Sequence, residues 1–236
     1  ANWWGRRPTP LAGWKAVELA AGATLVLRQQ RSDNAQFDPA HFHGEDAYVL
    51  SSTPITGSGS VLATNVNDYD FHVLLRSGAN TATGTLSATG RARFLIDNGA
   101  NWAGDVLFDN HIEIVTSTKI AKYVPADAPA SVSFGNMVLA GDVPVRVWKT
   151  GVALTNDMIN ITGSGFSGSG DLVLTPKDGY EPDQGDHLRL GSIPDGAAPP
   201  SLFPRTWKLH LTPRAGETGA FNMEAWFSRG TVIVVR

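Results

Sequence analysis

The densest grouping of reactive side chains is His41-Phe42-His43-Gly44-Glu45-Asp46. Side chains alternate along an extended segment, so His41, His43 and Glu45 point to one side. Two imidazoles and a carboxylate form a donor set for Zn²⁺, Ni²⁺ or Fe²⁺. The plainer reading, a solvated polar segment, is the one expected. Asn65, Asn67, Asp68 and Asp70 bring four oxygen-bearing side chains within six residues. Hard oxygen donors suit Ca²⁺, but the glycine and closing glutamate of an EF-hand loop are missing. This group reads first as an Asn/Asp-rich turn, and so does the acidic run Asp178, Asp183, Asp186. No cofactor is expected; Ca²⁺ is the ion that this chemistry would favour.

Asp97, Asp105 and Asp109 are the candidates for acid–base work. Paired carboxylates cleave glycosidic bonds, one as acid and the other as base or nucleophile. Nothing in their spacing requires that role, and Asp97-Asn98-Gly99 reads first as a turn. A lyase would want Arg beside a carboxylate, and Arg91 and Arg93 precede Asp97 with Phe94 on the opposite face. No P-loop, dinucleotide fingerprint or Gly-x-Ser-x-Gly elbow is present. The Gly/Ser-rich stretch 163–170 is expected to be a connection. Seven tryptophans could stack on sugars if exposed. Trp102 and Trp148 are the candidate ligand-binding rings, although tryptophan more often fills a core or a cap.

Bulk properties narrow the classes. The chain has 236 residues, with 19 Lys+Arg against 22 Asp+Glu and a net charge of −3. That excludes a strongly basic nucleic-acid binder, which needs a cationic surface to release counterions. With 42% apolar and 17% charged residues, the chain has enough apolar surface to fold. It contains no Cys, hence no disulfide and no thiolate site. No apolar run approaches the ~20 residues of a membrane-spanning helix. The chain opens Ala-Asn-Trp-Trp, which reads as a processed chain or a fragment without a visible signal peptide.

The elements that must position these groups are short strands. Thr24–Arg28, Ala92–Ile96, Val145–Trp148, His187–Leu190, Trp207–Leu211 and Thr231–Val235 are among many runs of three to six residues rich in branched or aromatic side chains. Gly, Asn, Asp and Pro separate them. Helical periodicity is nearly absent; Trp14–Ala21 is the best candidate. About 14 to 20 strands are expected in an all-β fold. A glycine precedes several strands, as at Gly84, Gly104 and Gly170, and Gly84 and Gly104 stand 20 residues apart. That pattern suits corners of a solenoid where backbones approach closely. A β-sandwich or jelly roll, and less so a barrel, are the alternatives.

The stretch from Gly84 to Leu107 carries a resemblance. Gly84, Leu86, Gly90, Phe94, Ile96, Gly99, Asn101, Trp102, Gly104 and Val106 resemble the β-strand repeats of bacterial autotransporter passengers. Ser77–Thr81 repeats the middle of the pattern, and 156–163, 170–175 and 185–190 resemble closing coils of large exported β-helix proteins. The resemblance implies one right-handed parallel β-helix domain with capped ends. Residues 1–22 would form the N-terminal cap and 195–236 the C-terminal one. It implies a secreted, cell-surface, adhesin-like scaffold with no catalytic residues. Its partners would be a cell-surface glycan or protein, or copies of itself, with no nucleic acid. A carbohydrate-binding or polysaccharide-cleaving β-helix and a viral or envelope assembly subunit are the other expectations.

Overall fold

The computed structural model describes residues 15–28, 48–50, 53–65, 71–117 and 126–229. These hold nineteen strands and no helix. In chain order the first ten are β1 (Val17–Leu19), β2 (Thr24–Arg28), β3 (Tyr48–Leu50), β4 (Ile55–Gly57), β5 (Ser60–Asn65), β6 (Phe71–Leu75), β7 (Leu86–Gly90), β8 (Ala92–Ile96), β9 (Asn101–Phe108) and β10 (Ile112–Ile114). The remainder are β11 (Ser131–Leu139), β12 (Val143–Thr150), β13 (Ala153–Asn156), β14 (Met158–Gly168), β15 (Leu172–Pro176), β16 (His187–Pro194), β17 (Leu202–Phe203), β18 (Trp207–Pro213) and β19 (Ala220–Phe227).

The chain visits its sheets in alternation. A nine-stranded sheet runs β2, β5, β7, β9, β11, β14, β16, β19, β18. Its neighbours from β2 to β16 pair in parallel, in sequence order. Parallel neighbours cannot be joined by a tight hairpin, so the chain must cross over between them. Here the crossovers are themselves strands. β3, β6, β8 and β10 form a four-stranded parallel sheet. β12, β15 and β17 form another, with β13 antiparallel on the edge of β12. β1 and β4 make a small parallel pair.

This pairing sets like on like. Val61, Leu86, Val106, Met137 and Phe166 lie opposite one another in succession across the long sheet, all buried. Val73, Phe94 and Ile112 do the same in the second sheet, and Val143, Leu172 and Leu202 in the third. All belong to one continuous core. Each strand alone leaves an apolar face exposed; the strands before and after it close that face. In β9 burial alternates, with Trp102, Val106 and Phe108 inward and Ala103, Asp105 and Leu107 less covered.

A glycine column runs beside the apolar one. Cβ atoms on Gly84, Gly104 and Gly135 would strike the backbone of Gly59, Gly84 and Ala103 respectively, closer than 3.0 Å. On Gly163 a Cβ would meet the Gly135 carbonyl oxygen at 2.7 Å. Close approach is therefore the reason for these residues.

Several expectations change. Trp14–Ala21 is not a helix in its described part: Val17–Leu19 is a strand paired with Ile55–Gly57. Its helix-compatible residues are overridden by tertiary pairing. Residues 163–168, read as a connection, are the second half of β14. Residues 165–168 pair with Asn136–Leu139 of β11, so the glycines there allow packing rather than slack. In 195–236, β19 and β18 end the parallel series by pairing antiparallel. Residues 1–14 and Thr231–Val235 lie outside the described residues. No helix among the described residues is long and apolar enough to cross a membrane.

Candidate functional site

The outward face of β16, β19 and β18 concentrates ionic and aromatic groups. Alternation aims Leu188, Leu190, Met223 and Ala225 into the core, so His187, Arg189, Glu224 and Trp226 project outward. The antiparallel register then sets them in rows. His187 faces Trp226, which faces Lys208; Arg189 faces Glu224, which faces His210.

Trp226 is 43% exposed, a large aromatic surface left in solvent. The His187 ring lies 4.5 Å from it at 32°, and the His210 ring 5.9 Å away at 67°. Glu224 Oε2 sits 3.3 Å from His187 Nε2. Beneath, Trp207 packs edge-on against Phe227 at 5.2 Å and supports the strands from inside.

His187 also lines a groove of about 440 Å³ with Asn98, Ser131, Leu154, Met158 and Arg189. Hydrogen-bonded polar groups, of which Asp157 and Asn156 are buried, hold its walls. Asp157, fully buried, accepts hydrogen bonds from the Ala130 amide at 2.8 Å and the Arg146 amide at 2.9 Å. The Arg146 guanidinium adds two more, at 2.8 and 2.9 Å. A buried carboxylate is tolerated because its oxygens are met by donors and a countercharge. Asn156 Nδ2 donates to the Arg189 carbonyl at 3.0 Å, and Asn98 Oδ1 accepts from the Ser131 amide at 2.8 Å.

The carboxylates Asp97, Asp105 and Asp109 are not brought together as a pair. Asp97 ends the second sheet, buried against the Arg76 guanidinium, and accepts the amides of Asn98 and Ser117 at 2.9 and 2.8 Å. Asp105 accepts from Asn136 Nδ2 at 2.7 Å. Asp109 accepts the His111 amide at 2.7 Å. Each is engaged by its own neighbour. Trp102 is wholly buried and donates Nε1 to the Gly84 carbonyl at 2.8 Å. Trp148 is buried too, its Nε1 on Asp127 at 3.1 Å and the Arg146 guanidinium 5.1 Å from its ring centre. Neither presents a ring to a ligand, because both indoles are spent on packing.

His41, His43, Glu45, Asn67, Asp68 and Asp70 lie outside the described residues. Asn65, buried, ends β5. No group of three His, Asp or Glu among the described residues is placed to hold a metal. The acidic run forms an internal clasp. Asp186 accepts the Tyr180 hydroxyl at 2.5 Å and the Asp183 amide at 2.7 Å. Asp183 meets Lys149 and Arg229, each at 3.4 Å. Burial pushes the Tyr180 phenol well above its usual range, helped by its bond to Asp186. Burial pulls the Asp186 carboxyl upward, but the Asp183 amide, the Tyr180 hydroxyl and Lys149 outweigh it and hold it below 3.8.

No protein-family model matches the chain, and no curated protein does. The site therefore rests on its own geometry. Sequence reading missed His187, Arg189, Glu224 and Trp226 as a group. Their alternation, His187-Leu-Arg189 and Glu224-Ala-Trp226, was the available signal; the antiparallel register that joins the two pairs was not.

Proposed function

We propose that the chain is a segment of a right-handed parallel β-helix displayed on a bacterial surface, in the manner of an autotransporter passenger. Its work is to hold a rigid binding face away from the cell, without catalysis. The observation that carries this reading is the in-register succession β2, β5, β7, β9, β11, β14, β16, with strands of other sheets between its members. An antiparallel sandwich or jelly roll would be built from hairpins and Greek keys instead. The glycine column and the apolar columns suit a stack that can be lengthened by repetition. The antiparallel β19–β18 pair suits a terminal cap, and Lys208 and Pro213 on the edge strand β18 discourage further pairing.

Two measurements test the proposal. Thr64→Cys combined with Thr89→Cys, register neighbours in the parallel β5–β7 pair, should cross-link on oxidation; a pair that stays reduced would overturn the β-helix. Antibody against the chain should label intact source cells. Labelling only after permeabilisation would overturn the surface location.

A further inference from the structure

We infer that the groove and the Trp226 face form one binding site for an anionic polysaccharide, a polymer of carboxylate-bearing sugars. The inference rests on the reading of this face as the one the scaffold presents, and names its ligand.

Continuity comes first. His187 lines the groove and also stacks on Trp226, so the two features share a wall. A ligand leaving the groove past His187 meets an indole that is 43% exposed. The C–H face of a pyranose is apolar and faintly positive, and it packs on the negative face of an aromatic ring. The groove wall is a mixture that suits the rest of a sugar: Leu154 and Met158 for its apolar face, Asn98, Ser131 and Thr155 for its hydroxyls.

Charge selects the sugar class. Arg189 lines the groove, and Lys208 stands across from Trp226. Among the described residues no carboxylate forms an ion pair with either, although Glu224 stands across from Arg189. The only carboxylate of these rows is Glu224, 15% exposed and turned to His187. The face thus offers two permanent cations against one partly covered anion. A guanidinium meets a carboxylate through two parallel charge-assisted hydrogen bonds, and hydroxyl-only sugars lack the charge that strengthens them. A nucleic acid is disfavoured, because two cations are too few to neutralise a run of phosphates and the whole chain is acidic.

The walls are already fixed by Asp157, Asn156 and Asn98, so little ordering is required on binding.

The test is affinity gel electrophoresis of the full chain in gels containing polygalacturonate, alginate, dextran or single-stranded DNA. Retardation is expected in the two polyuronates and not in dextran or DNA. Trp226→Ala should weaken polyuronate binding roughly tenfold. Arg189→Ala should weaken it as well. Val26→Ala, at an exposed position on β2 at the other end of the long sheet, should leave it unchanged. Far-UV circular dichroism matching wild type shows that each variant is folded. Equal retardation by dextran or by DNA overturns the inference, as does a folded Trp226→Ala that binds like wild type. No retardation of the wild type also overturns it, yet leaves the β-helix standing if the cysteines at 64 and 89 cross-link. Failure of that cross-link sinks the scaffold whatever the gels show.

Discussion

Gly104→Ala is the substitution that tests the stacked architecture most directly. Its new methyl group would fall on the Gly84 carbonyl oxygen and on the Thr83 carbonyl. These are backbone atoms, and they are pinned. Gly84 O accepts Trp102 Nε1 at 2.8 Å, and the Thr83 amide donates to Gly57 O at 2.9 Å. Ordinary contact at ~3.5 Å requires a retreat of about 1 Å. Overpacking of a well-packed interior costs about 1–3 kcal/mol, and a backbone obstacle belongs at the top of that range. Replacing Gly by Ala offsets about 0.4–1 kcal/mol by restricting the unfolded chain. The net loss is about 2 kcal/mol, or roughly 4–8 °C in Tm for a chain of this size. Gly141→Ala is the internal control. Its Cβ would meet only Asp109 Cα, at 3.8 Å. Here the unfolded-state term stands alone, and a gain of about 0.5 kcal/mol is expected. Urea denaturation of both variants gives the comparison, with the m-value checking that the unfolding unit is unchanged. If Gly104→Ala and Gly141→Ala unfold at the same urea concentration, close stacking is not what places glycine at 104.

Asp157→Ala removes the acceptor of two amides and a guanidinium in the wall of the groove, and should cost about 3–5 kcal/mol in denaturant titrations, as breaking a buried pair does. Trp102→Phe deletes the indole bond to Gly84 O and leaves that carbonyl without its donor; a loss of about 2 kcal/mol is expected from the same titrations. Asp186 has a folded pKa below 3.8, so its contribution is present above that value and lost as pH falls through the folded one. The stability gap between wild type and Asp186→Asn should thus be constant near neutral pH and narrow below pH ~4; a gap that does not narrow would falsify the clasp. Tyr180 shifts the other way: its contribution is complete below about pH 10 and lost as pH rises further. Absorbance at an alkaline tyrosinate band should show a late step that Tyr180→Phe removes.

Strand positions were legible because strand formation is local. Thr24–Arg28 and Ala92–Ile96 are strands with the expected limits, since branched and aromatic residues alternate there between turn residues. The glycines at 84 and 104 were legible as marks of close approach, and the structure puts them in one column. Val17–Leu19 was not legible: Trp14–Ala21 holds residues that a helix accepts, and pairing with Ile55–Gly57 decides otherwise. Among the candidate site residues, spacing alone could not distinguish Asp97, Asp105 and Asp109 as separately engaged carboxylates. Their partners, Arg76, Asn136 and His111, come from the fold.

By itself, then, the sequence determined an all-β chain of short strands and where most of them fall, because side-chain alternation and turn chemistry act over a few residues. Tertiary structure alone decided which strands are neighbours. Register is a long-range quantity: His187 meets Trp226 only because β16 and β19 pair antiparallel at that offset. A slip of one residue would turn Trp226 inward and Ala225 outward, and the binding face would vanish while the strand pattern in the sequence stayed the same.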